Sequence, residues 1–117
     1  MHELSITEHL LNIALTQAEA AQAKHINKVT MRLGSLSGIV EESVRFYLEL
    51  LARDTIAEGA ELQVERVTGC LRCRGCGQLY EPQDNVWLCP HCGSAGGEVL
   101  AGRECYLQSI EIETEGG

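Results

Sequence analysis

Two short cysteine motifs constrain this chain more than any other feature of its sequence. Residues 73–77 read C-R-G-C-G and residues 89–93 read C-P-H-C-G, with twelve residues between the second cysteine of one and the first of the other. Two residues between paired cysteines let both thiolates reach one tetrahedral ion, and the following glycine permits a positive φ. The motifs predict a closed structural zinc site with four ligands: Cys73, Cys76, Cys89 and Cys92.

A second C-x-x-C pair, formed by Cys70 and Cys73, competes with the first motif. This pair is the less suitable metal-binding motif, because Arg74 follows it where the C-x-x-C-G motif has glycine. Cys70 and Cys105 are therefore interpreted as small apolar residues near the base of the cysteine module, and His91 is expected to point to solvent. A thioredoxin-like redox pair is disfavoured because neither motif is expected between a strand and a helix.

The charge of the chain excludes some partners. Nine Lys and Arg against 17 Asp and Glu give a net charge of −8, and residues 70–103 carry three charges of each sign. No basic face suits a phosphate backbone, so nucleic acid is excluded. No signal peptide or apolar stretch of about 20 residues is visible. We therefore expect no membrane partner and a cytoplasmic protein, in which reduced cysteines favour metal binding.

The hydrophobic pattern predicts an α+β fold. An S-x-x-E capping box at Ser5 predicts a helix over residues 6–23, and a second amphipathic helix is predicted over residues 40–54. Alternating residues predict three strands, at 28–33, 62–65 and 110–113. The expected architecture is two helices packed on a small three-stranded sheet, with an inserted zinc-ribbon-like module that holds the four cysteine ligands. The α+β domain is expected to comprise residues 1–69 and 104–117, and the module residues 70–103.

The amino end offers a second candidate metal site. The terminal amine of Met1, the amide nitrogen of His2 and its ring Nδ1 can close two fused chelate rings around one ion. Such a nearly planar nitrogen set suits Ni(II) or Cu(II) and does not suit tetrahedral zinc. The alternatives are an incidental Met-His pair, and for Glu3 a favourable charge near a helix amino terminus.

Several stretches together resemble the HypA/HybF family of nickel metallochaperones. They are MHELSI, RLGSLSGIVEESVRFYLELL, TIAEGAELQVE, the two cysteine motifs and the closing GRE with SIEIE. The resemblance implies a nickel site at Met1, His2 and Glu3, and zinc ligands at the four cysteines of the motifs. It also implies delivery of Ni(II), with the GTPase HypB, to the [NiFe]-hydrogenase large subunit, and in some members service to urease and its accessory proteins.

The sequence departs from the family pattern at two cysteines. Cys70 is not required by the family motif, and Cys105 stands where an apolar residue usually follows GRE. The fourth nickel donor stays open, with His9, a carboxylate, water and a partner side chain as alternatives.

Two functional hypotheses follow. The first is a carrier that is not an enzyme, with transient Ni(II) at its amino end and structural Zn(II) in the module. The second is a zinc-ribbon adaptor that binds a protein partner and holds no exchangeable metal. No Ser/His/Asp set, phosphate loop or open zinc site supports a catalytic reading.

Overall fold

The computed structural model describes residues 2–82 and 86–114, and for His2 the backbone alone. Its elements are α1 (His2–Ala20), β1 (Ala23–Gly34), α2 (Glu41–Leu51), β2 (Glu61–Val67), β3 (Cys70–Arg72), β4 (Leu79–Tyr80), β5 (Glu98–Ala101) and β6 (Cys105–Thr114). They divide into two compact units. The first contains Met1–Arg32, Ile39–Glu65 and Cys105–Gly117, and the second contains Leu33–Gly38 and Arg66–Glu104.

The first unit is the predicted α+β arrangement. Its three strands lie in the order β2-β1-β6, and α1 packs against both α2 and β6. Apolar residues of the central strand β1 are fully buried, among them Ile26, Val29 and Met31. Small or aliphatic helix residues such as Ala14 and Val44 are also fully buried. Burial of these side chains supplies the main stabilisation of this unit.

The start of α1 corrects the predicted capping box. The helix begins at His2, so Ser5 lies inside it and does not cap it. The hydroxyl of Thr7 instead donates to the carbonyl oxygen of Glu3, 2.5 Å away. Glu3 also lies in the first turn, where a negative charge interacts favourably with the helix dipole. Residues before a capping signature can join the helix when, as here, they are themselves compatible with it.

The second unit contains a sheet that the sequence pattern did not reveal. Its strands are two to four residues long and lie in the antiparallel order β4-β3-β5. Leu71, in the centre, pairs with Tyr80 on one side and Val99 on the other. Leu71 and Tyr80 form a small core with Cys73 and Cys89. Strands this short leave too few positions for alternation to be recognised.

Three glycines of the second unit meet where Leu33–Gly38 packs against the rest of that unit. A Cβ on Gly34 would lie 2.0 Å from the carbonyl oxygen of Gly102, and a Cβ on Gly102 would lie 2.5 Å from Cα of Gly69. The Leu36 amide donates to the same Gly102 oxygen at 2.7 Å, and the Ser35 amide donates to the Val67 oxygen at 2.9 Å. The backbones therefore approach too closely for any side chain at these positions.

We expect Gly34→Ala to destabilise the second unit by about 3 kcal/mol, because the added methyl group must displace backbone atoms that have no room to move. Urea unfolding followed by circular dichroism measures this loss. Gly38→Ala is the control, since its Cβ would meet no atom within 4 Å although its φ is +75°, and it should cost only about 1 kcal/mol. Equal losses in the two variants would contradict the close approach.

A pH-dependent contact links β1 to the turn before β2. The ring Nδ1 of His25 lies 2.8 Å from Oδ1 of Asn27, and Nε2 lies 3.0 Å from the carbonyl oxygen of Glu58. The hydrogen bond with Asn27, followed by that with Glu58, raises the pKa of His25 above its usual 6.5. Both contacts favour the doubly protonated ring.

We expect an NMR pH titration to find His25 titrating above 6.5, and Asn27→Ala to lower that pKa. Because the folded pKa is raised, the stabilisation by this contact is complete below the unfolded pKa and is lost as the pH rises through the folded pKa. A His25 pKa at or below that of an unstructured peptide would contradict the contact.

Candidate metal centres

The four cysteines of the two motifs come together in the second unit. All four Sγ atoms lie within 4.8 Å of one another, with 3.4 Å between Cys73 and Cys92 and 3.6 Å between Cys76 and Cys89. A tetrahedral ion with zinc–sulfur bonds of about 2.3 Å requires sulfur–sulfur separations of about 3.8 Å. The donor set and its dimensions therefore fit zinc.

The two C-x-x-C-G motifs, residues 73–77 and 89–93, are here called knuckles. They have the same backbone structure. The Cys73 amide donates to the Gln78 carbonyl at 2.9 Å, and the Cys89 amide donates to the Ser94 carbonyl at 2.9 Å. The glycines that follow the motifs have φ of 76° and 79°, as the C-x-x-C-G spacing predicts. This repeated turn brings both cysteines of each motif into the four-sulfur group. Cys73 and Cys89 are buried, whereas Cys76 and Cys92 are exposed.

Backbone amides point at the buried sulfurs. The Gly75 and Cys76 amides lie 3.3 Å and 3.5 Å from Sγ of Cys73, and the His91 amide lies 3.4 Å from Sγ of Cys89. The Cys76 amide is the main cause that lowers the pKa of Cys73. Such hydrogen bonds favour the thiolate, which is the form that binds metal.

The exposed sulfurs differ from each other. The Ser94 side chain, and then its backbone amide, lower the pKa of Cys92 to about 6. The Gln78 amide lowers the pKa of Cys76, but desolvation of its sulfur and hydrogen bonds with the other cysteines outweigh that effect and raise this pKa to about 12. Four thiolates whose sulfurs lie within 4.8 Å of one another repel, so a bound cation would be needed to hold all four in that form.

The remaining cysteines lie outside this cluster in the part of the chain that the structure describes. Cys70 is half-buried in β3, and Cys105 is half-buried at the start of β6. Burial raises the pKa of the Cys105 thiol, which disfavours a reactive thiolate. His91 is exposed. Cys70, although three residues before Cys73, is not part of the four-sulfur group.

At the amino end, the structure describes one of the three predicted nickel ligands. Met1 and the side chain of His2 lie outside the described residues. Glu3 is only 8% exposed, and its Oε2 accepts a hydrogen bond from the Val40 amide at 3.1 Å. The terminal ammonium group, and then the Val40 amide, lower the pKa of Glu3 to about 2. Its carboxylate is therefore charged at neutral pH.

Fold and cluster define a small α+β protein with a four-cysteine metal-binding site. The family model described as "Hydrogenase/urease nickel incorporation, metallochaperone, hypA" matches residues 1–112. The chain belongs to this HypA family, whose members are maturation factors. No helix among the described residues is long and apolar enough to cross a membrane.

Relatives match over nearly their whole length. A hydrogenase maturation factor HypA from Dehalococcoides mccartyi is 42% identical over 115 residues, covering 98% of this chain and 97% of the relative. One from Synechococcus elongatus is 42% identical over 112 residues, covering 96% and 99%.

Solved structures share the fold. A solution structure of the Ni metallochaperone HypA from Helicobacter pylori superposes with a TM-score of 0.66 at 23% identity, covering 97% of this chain and 98% of that one. A second solution structure of a HypA protein gives a TM-score of 0.69 at 24% identity, covering 98% of each chain.

We expect one zinc ion per chain in purified protein, measured by mass spectrometry under native conditions. Cys73→Ser should remove most of the zinc and lower the thermal midpoint, because Cys73 is both a predicted ligand and part of the small core. Cys70→Ser is the matched control and should keep the zinc. Equal zinc loss in both variants would place Cys70 in the ligand set.

Proposed function

We propose that this protein is a nickel metallochaperone that binds Ni(II) at its amino end and holds structural zinc in its four-cysteine module. It delivers the nickel, together with the GTPase HypB, to the [NiFe]-hydrogenase large subunit. Urease, reached through its accessory proteins, is a second recipient. The observation that carries the proposal is the family match, which begins at residue 1 and so includes the MHE opening.

The nickel site is proposed at Met1, His2 and Glu3. The terminal amine, the His2 amide nitrogen and the His2 ring supply the planar nitrogen donors that Ni(II) favours. The Glu3 carboxylate is charged, is almost fully buried, and is oriented by the Val40 amide. Because the Glu3 side chain is already held by this hydrogen bond, it would lose little conformational entropy on binding a cation.

Release is as important as binding for a carrier. Ligands at a chain end can be replaced one at a time as an acceptor offers its own donors. Acid should weaken the site, because the imidazole must be neutral and the amide nitrogen must lose its proton before nickel binds. The acidic first unit adds a favourable potential for a divalent cation.

Zinc in the second unit is proposed to be structural. Four thiolates fill a tetrahedral coordination sphere and leave no open position for substrate. The small apolar core around Leu71 and Tyr80 gains a cross-link from such an ion. The module would then present a fixed surface to protein partners and take no part in nickel coordination.

We expect calorimetric titration of tag-free protein to show one nickel per chain, and His2→Ala to abolish this binding while zinc content stays unchanged. The physical reason is that His2 supplies the ring donor of the proposed chelate. His25→Gln is the matched control, because both of its ring nitrogens already contact acceptors in the fold. It should bind nickel like the natural chain.

Three other outcomes would revise the proposal. Equal nickel binding by the natural chain and His2→Ala would move the site elsewhere. Loss of circular dichroism signal in His2→Ala would make His2 a packing residue. No nickel binding by the natural chain would favour a zinc-ribbon adaptor, which should keep its partner after the first two residues are removed.

A further inference from the structure

The two knuckles repeat one backbone structure with different side chains. The residue after the C-x-x-C-G motif is Gln78 in the first knuckle and Ser94 in the second. The residue before the second cysteine is Gly75 in the first knuckle and His91 in the second. The backbone repeat therefore makes Gln78 the positional counterpart of Ser94, and His91 that of Gly75.

Ser94 contacts both the cluster and the opposite knuckle. Its Oγ lies 3.2 Å from Sγ of Cys92. A Cβ built on Gly75 would lie 2.6 Å from that same Oγ, 3.4 Å from Cβ of Ser94 and 3.5 Å from Sγ of Cys92. The serine side chain thus occupies the space that the missing side chain of Gly75 leaves open.

We propose that Ser94 is a positioning residue for the metal, holding the exposed Cys92 thiolate in the cluster through a hydroxyl hydrogen bond that the absence of a side chain at Gly75 makes possible. The inference rests on the metal occupancy proposed above. It assigns different roles to the two exposed sulfurs. The Ser94 Oγ lies 3.2 Å from Sγ of Cys92 and its hydroxyl becomes the donor once that sulfur is a thiolate, whereas the corresponding position beside Cys76 holds Gln78.

The hydrogen bond matters because Cys92 is exposed to water. Cys73 and Cys89 are protected by burial, but an exposed thiolate can leave a metal and be captured by solvent, a chelator or an electrophile. A donor to the bound sulfur fixes its rotamer and lowers its nucleophilicity. Outer-shell partners of this kind change metal affinity by about 10–100-fold.

Zinc transfer to a chromogenic chelator from fully loaded protein is the first test. Ser94→Ala should accelerate transfer by about 10-fold, at the lower end of outer-shell effects. Gly75→Ala should act in the same direction, because its methyl group would displace the hydroxyl. The double variant should be no faster than the faster single variant, since both changes remove one contact. Gln78→Ala is the matched control and should transfer zinc like the natural chain.

A spectroscopic measurement separates positioning from general loosening. In cobalt-substituted protein, loss of a hydrogen bond to one thiolate raises the energy of its lone pair. The sulfur-to-cobalt charge-transfer band of Ser94→Ala should therefore shift to longer wavelength while the ligand-field bands of a tetrahedral site stay in place. Gln78→Ala should leave both sets of bands unchanged.

Alkylation with iodoacetamide, followed by peptide mass spectrometry, locates the effect. In the zinc-loaded natural chain Cys76 should react faster than Cys92, and Ser94→Ala should raise the rate at Cys92 alone. Equal acceleration at all four cysteines would make Ser94 a merely structural residue and overturn the inference. So would unchanged transfer and an unshifted cobalt band in Ser94→Ala.

The failure of the proposed zinc role has a separate signature. If the natural chain holds no zinc and takes up no cobalt, metal binding by the four cysteines is overturned, and the positioning role of Ser94 is overturned with it. If the natural chain holds one zinc and Ser94→Ala releases it at the natural rate, the zinc role stands and only the inference is overturned.

Discussion

The convergence of four sulfurs is the interaction on which the second unit depends. The buried hydrophobic core of this unit is small and consists of Leu71, Cys73, Tyr80 and Cys89. The strands of the unit are no longer than four residues. So little apolar burial cannot offset the conformational entropy of ordering this segment. An ion bound by all four thiolates would supply the missing free energy, because coordination is available only to the folded chain.

The two candidate metal sites offer different kinds of donor atoms. The cluster is made of sulfur, is partly buried and is supported by amides that point at Cys73 and Cys89. The proposed nickel site is made of nitrogen donors at a chain end, with Glu3 beside it. The first kind of site favours retention and the second favours exchange, which is the combination that the proposed carrier function requires.

The sequence predicted those features that are set by local spacing. The C-x-x-C-G motifs predicted the sulfur cluster and its positive-φ glycines. The periodicity of apolar residues predicted two helices on a three-stranded sheet. Contacts between residues that are far apart in the chain could not be predicted from the sequence. No pattern signals that Gly34 crosses Gly102, or that Ser94 fills the space above Gly75, because each depends on how two separated turns meet.

Two further features of the fold were not predicted from the sequence, for other reasons. The short sheet β4-β3-β5 has too few residues for a period, and the capping signature at Ser5 concealed a helix that begins at His2. The chelate at Met1 and His2 stays a prediction, because those groups lie outside the described side chains. Its support is the family match and the orientation of Glu3.

The hydrogen bond from Val40 to Glu3 has a consequence for loading. One carboxylate oxygen of Glu3 is already committed to the main chain just before α2. An ion that recruits Glu3 through both oxygens must compete with that amide, so bidentate capture would free the start of a second helix. In the proposed site, nickel and the Val40 amide would compete for the same carboxylate, and nickel occupancy would be thermodynamically linked to order at the beginning of α2.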